Sequence, residues 1–413
     1  MVLLLRGPLA SLCNNLVGSF IDFFVTRSHI SVSLTTTALQ SVAAPRATFY
    51  LPVLTGVRAI AAYLVYMHHF NPFRSETEGL LRRIPIEMHV GVPVFFVLSG
   101  FLITLRYADQ TNWTLGSWAN YMRNRAARIY PMYFLFTCIA FAAGYYFRPT
   151  IDWNQWWYSI TMLRGFFEEY KFSGVGQGWT LTVEETFYFI APVVFMVVQR
   201  RPKALWLIAL LLVGLGFLLV RLLSPLQYHG LFGNVTFMLL FTFFGRAIEF
   251  FAGIQLAFWF RAGHLQAPGR SGGYTLGGII AIAGAIAALV SLQGHGYDYG
   301  QEHPWGIFIN NVVLPGAIVL WFTGLLTEDT WLRRLLSSRP LQVLGKSSYL
   351  FYLIHMGFIQ ELVAHHITGH LLGQFVVLNV LAIGLYYGLE EPLHRLLRAR
   401  RVPRVDKAEL INA

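Results

Sequence analysis

An arginine and a histidine interrupt an apolar stretch of membrane-spanning length. Residues 55–70 read TGVRAIAAYLVYMHHF, so Arg58 and His69 lie eleven positions apart. On a helix of 3.6 residues per turn this spacing returns to nearly the same face, about 16 Å further along the axis. Ionisable residues within a span usually face the bundle interior or a wet cavity, so the pair predicts a functional site. The structural alternative is an arginine that snorkels to one interface and a histidine at the other.

Two adjacent carboxylates lie near the start of a later apolar helix. Residues 176–192 read GQGWTLTVEETFYFIAP, in which Trp179 is an interfacial anchor and Glu184 and Glu185 follow. A carboxylate beside an imidazole fixes its tautomer and raises its basicity, so a pairing of Glu184 with His69 would suit general-base catalysis. A capping role for one of the glutamates is the structural alternative.

Three arginines cluster before a proline in residues 121–134, YMRNRAARIYPMYF. We interpret Arg123, Arg125 and Arg128 as part of a loop that ends where Pro131 starts the next span. Guanidinium forks suit phosphate recognition, which would fit a nucleotide or coenzyme A. Anchoring at the membrane surface or contact with anionic lipid is the alternative.

Other histidines are weaker candidates. His355, in LGKSSYLFYLIHMGF, lies about midway through an apolar segment and needs a hydrogen-bonding partner there, either as part of a site or as satisfied packing. His365, His366 and His370 have no acidic or cysteine ligand beside them, so no metal site is predicted.

Two further polar features favour structural roles. Ser99 precedes Gly100 in VFFVLSGFLIT, where small residues permit close helix approach and nothing nearby in sequence would activate the hydroxyl. Arg246 and Glu249 lie three positions apart on one helix, which favours a buried ion pair.

The composition indicates the elements that carry these residues. Of 413 residues, 55% are hydrophobic and only 12% are charged, which is too apolar for a soluble globular protein. We predict an all-α polytopic membrane protein, with residues 153–163 too short to span. About ten transmembrane helices in one bundle are predicted at residues 50–70, 89–107, 131–147, 181–199, 204–222, 235–260, 276–293, 306–326, 347–364 and 371–389.

The distribution of basic residues predicts the orientation. Ten spans place both termini on one side, and with that side cytoplasmic nineteen basic residues fall inside and seven outside. The net charge of +11 is then explained by topology, so nucleic acid is not an expected partner. Residues 1–46 are predicted to be an extension, as an interfacial helix or a disordered linker, and residues 399–413 a basic cytoplasmic tail.

Six segments with polar residues follow one another along the chain. They are Arg58 to His69, VFFVLSGFLIT, Arg125 and Arg128 before RIYPMYF, WTLTVEETFYF, LGKSSYLFYLIH and the closing Glu390-Glu391-Pro392. This set resembles the membrane-bound acyltransferase-3 family, whose members O-acylate bacterial surface and exported glycans. The resemblance covers about residues 50–398, so residues 47–398 are predicted to form the family's transmembrane domain.

The resemblance implies an O-acyltransferase of the bacterial inner membrane. It would move an acyl group, commonly acetyl, from cytoplasmic acetyl-CoA to a hydroxyl of an extracytoplasmic or lipid-linked glycan. The family's arginine, histidine and glutamate fall on Arg58, His69 and Glu184, and its loop arginines on Arg125 and Arg128. No SGNH-type domain follows the last predicted span, which implies a stand-alone transferase.

The residue pattern and the resemblance together suggest a mechanism. Arg125 and Arg128, with Arg123, would hold the phosphates of acetyl-CoA, and the pantetheine arm would pass Arg58. His69, oriented by Glu184, would take the proton of the acceptor hydroxyl, and an acyl-histidine intermediate stays open. His355 and Trp179 are secondary candidates on the substrate side.

Two other functions remain open at this point. A transporter or flippase would use Arg58, Arg246 and His355 as a path for a charged or glycan substrate. A polysaccharide polymerase or ligase would use a lipid-linked sugar donor and usually a large outer loop.

Overall fold

The computed structural model describes residues 50–74, 79–111, 113–147, 149–265, 272–294 and 296–398. Apart from one isolated bridge between Phe167 and Leu231, their regular structure is helical, which confirms the predicted all-α class. The predicted extension 1–46 and tail 399–413 lie outside the described residues.

The first half of the described chain contains nine α-helices. They are α1 Pro52–His69, α2 Leu80–Ile86, α3 Gly91–Tyr107, α4 Leu115–Phe147, α5 Trp153–Ile160, α6 Trp179–Arg200, α7 Ala204–Leu223, α8 Val235–Phe241 and α9 Phe243–Arg261. A 3₁₀ turn, Gly176–Gly178, leads into α6.

The second half of the described chain adds eight. They are α10 Gly273–Leu292, α11 Pro304–Phe308, α12 Leu314–Thr327, α13 Trp331–Leu336, α14 Arg339–Ile354, α15 Phe358–His366, α16 Leu371–Leu385 and α17 Glu391–Leu397. Single π-helical turns join α11 to α12, at Ile309–Val313, and α16 to α17, at Tyr386–Glu390.

Helix α1 is packed on both sides, against α3 and α14. Its apolar face, including Val57, Ala61 and Val65, is buried. A Cβ on Gly345 of α14 would lie 1.9 Å from the carbonyl oxygen of Thr55, so the two backbones touch at this crossing. Small residues permit such approach, and a second contact further along, between the rings of Tyr63 and Phe351, shows that α1 and α14 run in the same direction.

Eight helical segments among the described residues are long and apolar enough to cross a membrane. The predicted count of ten is therefore approximate. Helix α1 is 18 residues long and is not among the eight, because Arg58, His68 and His69 lower its mean hydropathy. The other missing span is 347–364, which the structure divides between α14 and α15.

The prediction of a loop before Pro131 is wrong. Arg123, Arg125 and Arg128 lie within α4, which is 33 residues long and contains Pro131 in its interior. Proline often marks a helix start, but a packed membrane bundle tolerates it inside a helix because neighbouring groups satisfy the freed backbone. The hydroxyl of Tyr349 donates to the carbonyl of Ile129 near this point, at 2.6 Å.

Residue 355 is likewise not in the middle of a span. Helix α14 ends at Ile354, His355 caps it, and the chain turns at Gly357, whose φ is +90°. Such a backbone conformation suits glycine, so the sequence can break the helix here. His355 is therefore held at a helix end.

Candidate active site

Two histidines from the ends of parallel helices meet in a hydrogen bond. Nδ1 of His69, the last residue of α1, lies 2.9 Å from Nε2 of His355, at the end of α14. The crossing of α1 and α14 near Thr55 and Gly345 aligns the two helices and brings their ends together. His355 is fully buried, whereas His69 keeps part of its surface accessible.

The other ring nitrogen of His355 is also hydrogen-bonded. Its Nδ1 lies 2.8 Å from the carbonyl oxygen of Tyr352. The same oxygen accepts a bond of 2.6 Å from Nε2 of Gln177, in the turn before α6, and Gln177 also donates to the carbonyl of Leu353 at 2.9 Å. The last carbonyls of a helix lack intrahelical partners, so Gln177 and His355 together satisfy the end of α14.

The neighbouring His68 has a different environment. Its Nδ1 lies 2.6 Å from the carbonyl of Ile86, and its ring lies edge-on to that of His89, with centroids 5.6 Å apart. This agrees with the helical spacing, which places His68 beside the line from Arg58 to His69.

The other polar residue of α1, Arg58, lies in a cluster of charges from three further elements. Glu184 of α6, Glu390 of the π-turn and Arg128 of α4 are all within its electrostatic range. The guanidinium also lies over the ring of Phe95, 6.0 Å from its centroid. Arg58 thus lies between two ends of the bundle. We call them the histidine end, where His69 meets His355, and the arginine end, which includes Arg128.

The predicted pairing of Glu184 with His69 is not the one that forms. The Glu184 carboxylate accepts hydrogen bonds from Ser99, at 2.6 Å, and from Tyr188, at 3.2 Å. Helix α6 begins at Trp179 and places Glu184 at the depth of Arg58 rather than at that of His69. Ser99, expected only to pack, thereby orients a carboxylate.

The arginine end gathers like charges. Arg106 lies within electrostatic range of Arg125 and Arg128, and His394 is within range of all three as well as of Arg398. Arg125 lies over the ring of Tyr107, 5.6 Å from its centroid, and its buried Nε has no hydrogen-bond partner among the described residues. Within the part of the chain that the structure describes, one buried carboxylate oxygen of Glu185 and one of Glu390 also lack a hydrogen-bond partner. Unsatisfied buried polar atoms of both signs are what a site for a polar, charged ligand would present.

Arg123 and Trp179 are not part of either cluster. Arg123 is exposed, and its Nε donates 3.0 Å to the carbonyl of Leu397 at the end of α17. Trp179 packs edge-to-face on Phe241, with centroids 4.8 Å apart. These contacts give both side chains roles in packing.

Several residues of the site had no signal of their own in the sequence. Tyr188 lies one helical turn after Glu184 and Tyr352 one turn before His355, but both are common residues in an apolar context. Gln177 reaches the end of α14 only because the 3₁₀ turn Gly176–Gly178 packs against that helix. Glu390 belongs to the closing motif Glu390-Glu391-Pro392, but the sequence alone assigns it no role.

The ion pair predicted for α9 is confirmed. Nε of Arg246 lies 3.2 Å from Oε2 of Glu249, and both side chains are buried. Asn311, in the π-turn before α12, accepts a further bond from Arg246 at 3.0 Å. Arg246 therefore links α9 to the π-helical turn before α12.

Comparison with known proteins places these residues within one family. The family described as "Acyltransferase domain" matches residues 51–389. The O-acetyltransferases OatA of Staphylococcus aureus strains NCTC 8325 and COL are each 24% identical over 383 residues, which cover 86% of this chain. The match spans 59% of the length of those relatives. No solved structure matches the chain.

Proposed function

Because this chain belongs to the acyltransferase-3 family, we propose that it is an integral-membrane O-acetyltransferase. It moves an acetyl group from acyl-CoA to a hydroxyl of a glycan outside the cytoplasm or of a lipid-linked glycan. The observation that carries the proposal is the placement on one helix, α1, of an arginine within a charged cluster and a histidine within a hydrogen-bonded pair.

The arginine end is the proposed site for the donor. Arg106, Arg125 and Arg128 repel one another, and an anionic ligand would offset that repulsion. Guanidinium forks bind phosphate oxygens in a bidentate manner, so the phosphates of coenzyme A suit this cluster. The thioester arm would then extend past Arg58 toward His69, about 16 Å along α1.

The histidine end is the proposed site of chemistry. The acceptor hydroxyl gives its proton to the imidazole of His69 while its oxygen attacks the thioester carbonyl carbon. The carbon–sulfur bond then breaks, and the imidazolium returns the proton to the departing thiolate. The products are an O-acetyl ester and the thiol of coenzyme A, and a general base of this kind contributes about 10²- to 10⁴-fold in rate.

Transport is less well supported than acyl transfer. That alternative needs Arg58, Arg246 and His355 to form one path, but Arg246 is bonded to Glu249 and Asn311 in a structural contact. A transporter would move substrate without consuming acetyl-CoA, so release of free coenzyme A by the purified protein separates the two functions.

The test is mass spectrometry of exported glycans from cells that lack the gene and are complemented with variants. We expect wild type to restore one acetyl mass and His69→Ala to leave it absent. His365→Ala, an exposed histidine on α15, is the matched control and should behave as wild type. Full acetylation by His69→Ala would overturn the assignment of His69.

A further inference from the structure

The hydrogen bonds around His355 determine which ring nitrogens carry protons. A carbonyl oxygen only accepts, so Nδ1 of His355 must be the donor to Tyr352, at 2.8 Å. In the neutral ring, Nε2 of His355 is then a bare acceptor. It lies 2.9 Å from Nδ1 of His69, which must therefore donate. The consequence is that Nε2 of His69 carries the free lone pair.

We propose that His355 is a positioning residue that fixes His69 in the tautomer with Nε2 as the proton acceptor. The inference rests on the proposed function, since it names the atom of His69 that takes the hydroxyl proton. It replaces the carboxylate expected beside His69 with a neutral imidazole, whose orientation is set by the main chain of α14.

The surroundings of His355 allow little reorientation. Its ring stacks on that of Phe351 at an interplanar angle of 10°, and the rings of Tyr66 and Tyr352 flank it. The carbonyl of Tyr352 is itself held by Gln177. A ring flip of His355 would lose the bond to Tyr352 and place carbon atoms against it.

The strongest test compares two amides at position 355. The amide of glutamine reaches about as far from the backbone as Nε2 of histidine, so His355→Gln can accept a hydrogen bond from His69. The amide of asparagine reaches only as far as Nδ1, so His355→Asn can bond to the Tyr352 carbonyl but not to His69. The two variants differ by one methylene and are equally polar.

Turnover of acetyl-CoA by the purified proteins is the first readout. We expect turnover by His355→Asn to fall about tenfold or more, with the ~10²- to 10⁴-fold contribution of a general base as the upper limit of the loss. His355→Gln should recover most of that loss, and the KM for acetyl-CoA should change little in either. Equal turnover in the two variants would overturn the proposal, and thermal unfolding of both checks that they fold alike.

A second readout does not depend on activity. In ¹⁵N solid-state NMR of histidine-labelled protein in alkaline buffer, the signals lost in His69→Ala identify His69. We expect a protonated Nδ1 and a bare Nε2 in wild type, and a mixture of tautomers in His355→Asn. A protonated Nε2 in wild type would overturn the proposal. Absence of acetyl transfer by wild type with the expected tautomer would instead refute the proposed function alone.

Discussion

At the scale of single residues, the arginines of α4 differ in what they contact. Arg123 is exposed and bound to the carbonyl of Leu397, whereas Arg125 and Arg128 point toward Arg106 and the buried charges. Residues two and five positions apart lie on different faces of a helix, so one short basic segment can serve both packing and binding.

This difference predicts distinct kinetic effects. We expect Arg125→Ala and Arg128→Ala each to raise the KM for acetyl-CoA about tenfold or more, because a hydrogen bond to a charged group is worth about 1.5–3 kcal/mol. Arg123→Ala, the matched control, should leave the KM within about twofold of wild type and lower thermal stability slightly. Similar KM values for all three variants would contradict a donor site at the arginine end.

The sequence predicts relations within a helix better than those between helices. Arg58 and His69 were expected on one face from their spacing, and α1 contains both. The partners of His69 and Glu184 could not be found in this way, because they depend on how far α6 and α14 extend beside α1. The resulting pairs, His69 with His355 and Glu184 with Ser99, link positions 286 and 85 residues apart.

At the scale of elements, apolar length identified most membrane helices but not their ends. Residues 347–364 read as one apolar segment, yet a single glycine, Gly357, permits the break that holds His355 at a helix end. In α4 the error is the opposite one, because Pro131 predicts a helix start but lies inside the helix. Packed membrane bundles tolerate such a proline where neighbouring groups can satisfy the freed backbone. Local signals therefore compete with packing, which the sequence does not display.

The contact between α1 and α14 makes a testable prediction. In Gly345→Ala the new Cβ would lie 1.9 Å from the Thr55 carbonyl oxygen, so the helices must separate. We expect a loss of about 1–3 kcal/mol of stability, as in other overpacked cores, and lower turnover because the histidine pair shifts. The measurements are thermal unfolding in detergent and acetyl-CoA turnover.

Gly144→Ala is the control for this substitution. Gly144 also lies within a helix, α4, but a Cβ there would have no neighbour within 4 Å among the described residues outside its own helix turn. Alanine is favoured over glycine in a helix by up to about 1 kcal/mol, so this variant should be as stable as wild type or more so. An equal loss of stability in both variants would argue against the close crossing of α1 and α14.

At the scale of the whole molecule, α4 relates the site to the membrane. Its 33 residues extend for about 50 Å, whereas the hydrocarbon core is about 30 Å thick. The more apolar part follows Pro131, so the preceding part, with Arg125 and Arg128, is expected to reach the headgroups and the solution beyond. Helix α5 then begins at the opposite end of α4. We therefore expect the arginine cluster to face one solution only, and the proposed acyl-CoA donor requires that this be the cytoplasm.

This orientation can be measured with one cysteine at each end of α4. Gly116 and Asn154 are both exposed, the first on the first turn of α4 and the second on α5. After replacement of Cys13 and Cys138 by serine, we expect a membrane-impermeant maleimide to label Asn154→Cys in intact cells. Gly116→Cys should react only after the membrane is permeabilised, because basic residues favour the cytoplasmic side. The reverse pattern would place the arginine cluster outside, where coenzyme A is absent, and would refute the proposed donor site even if the histidine pair proved essential.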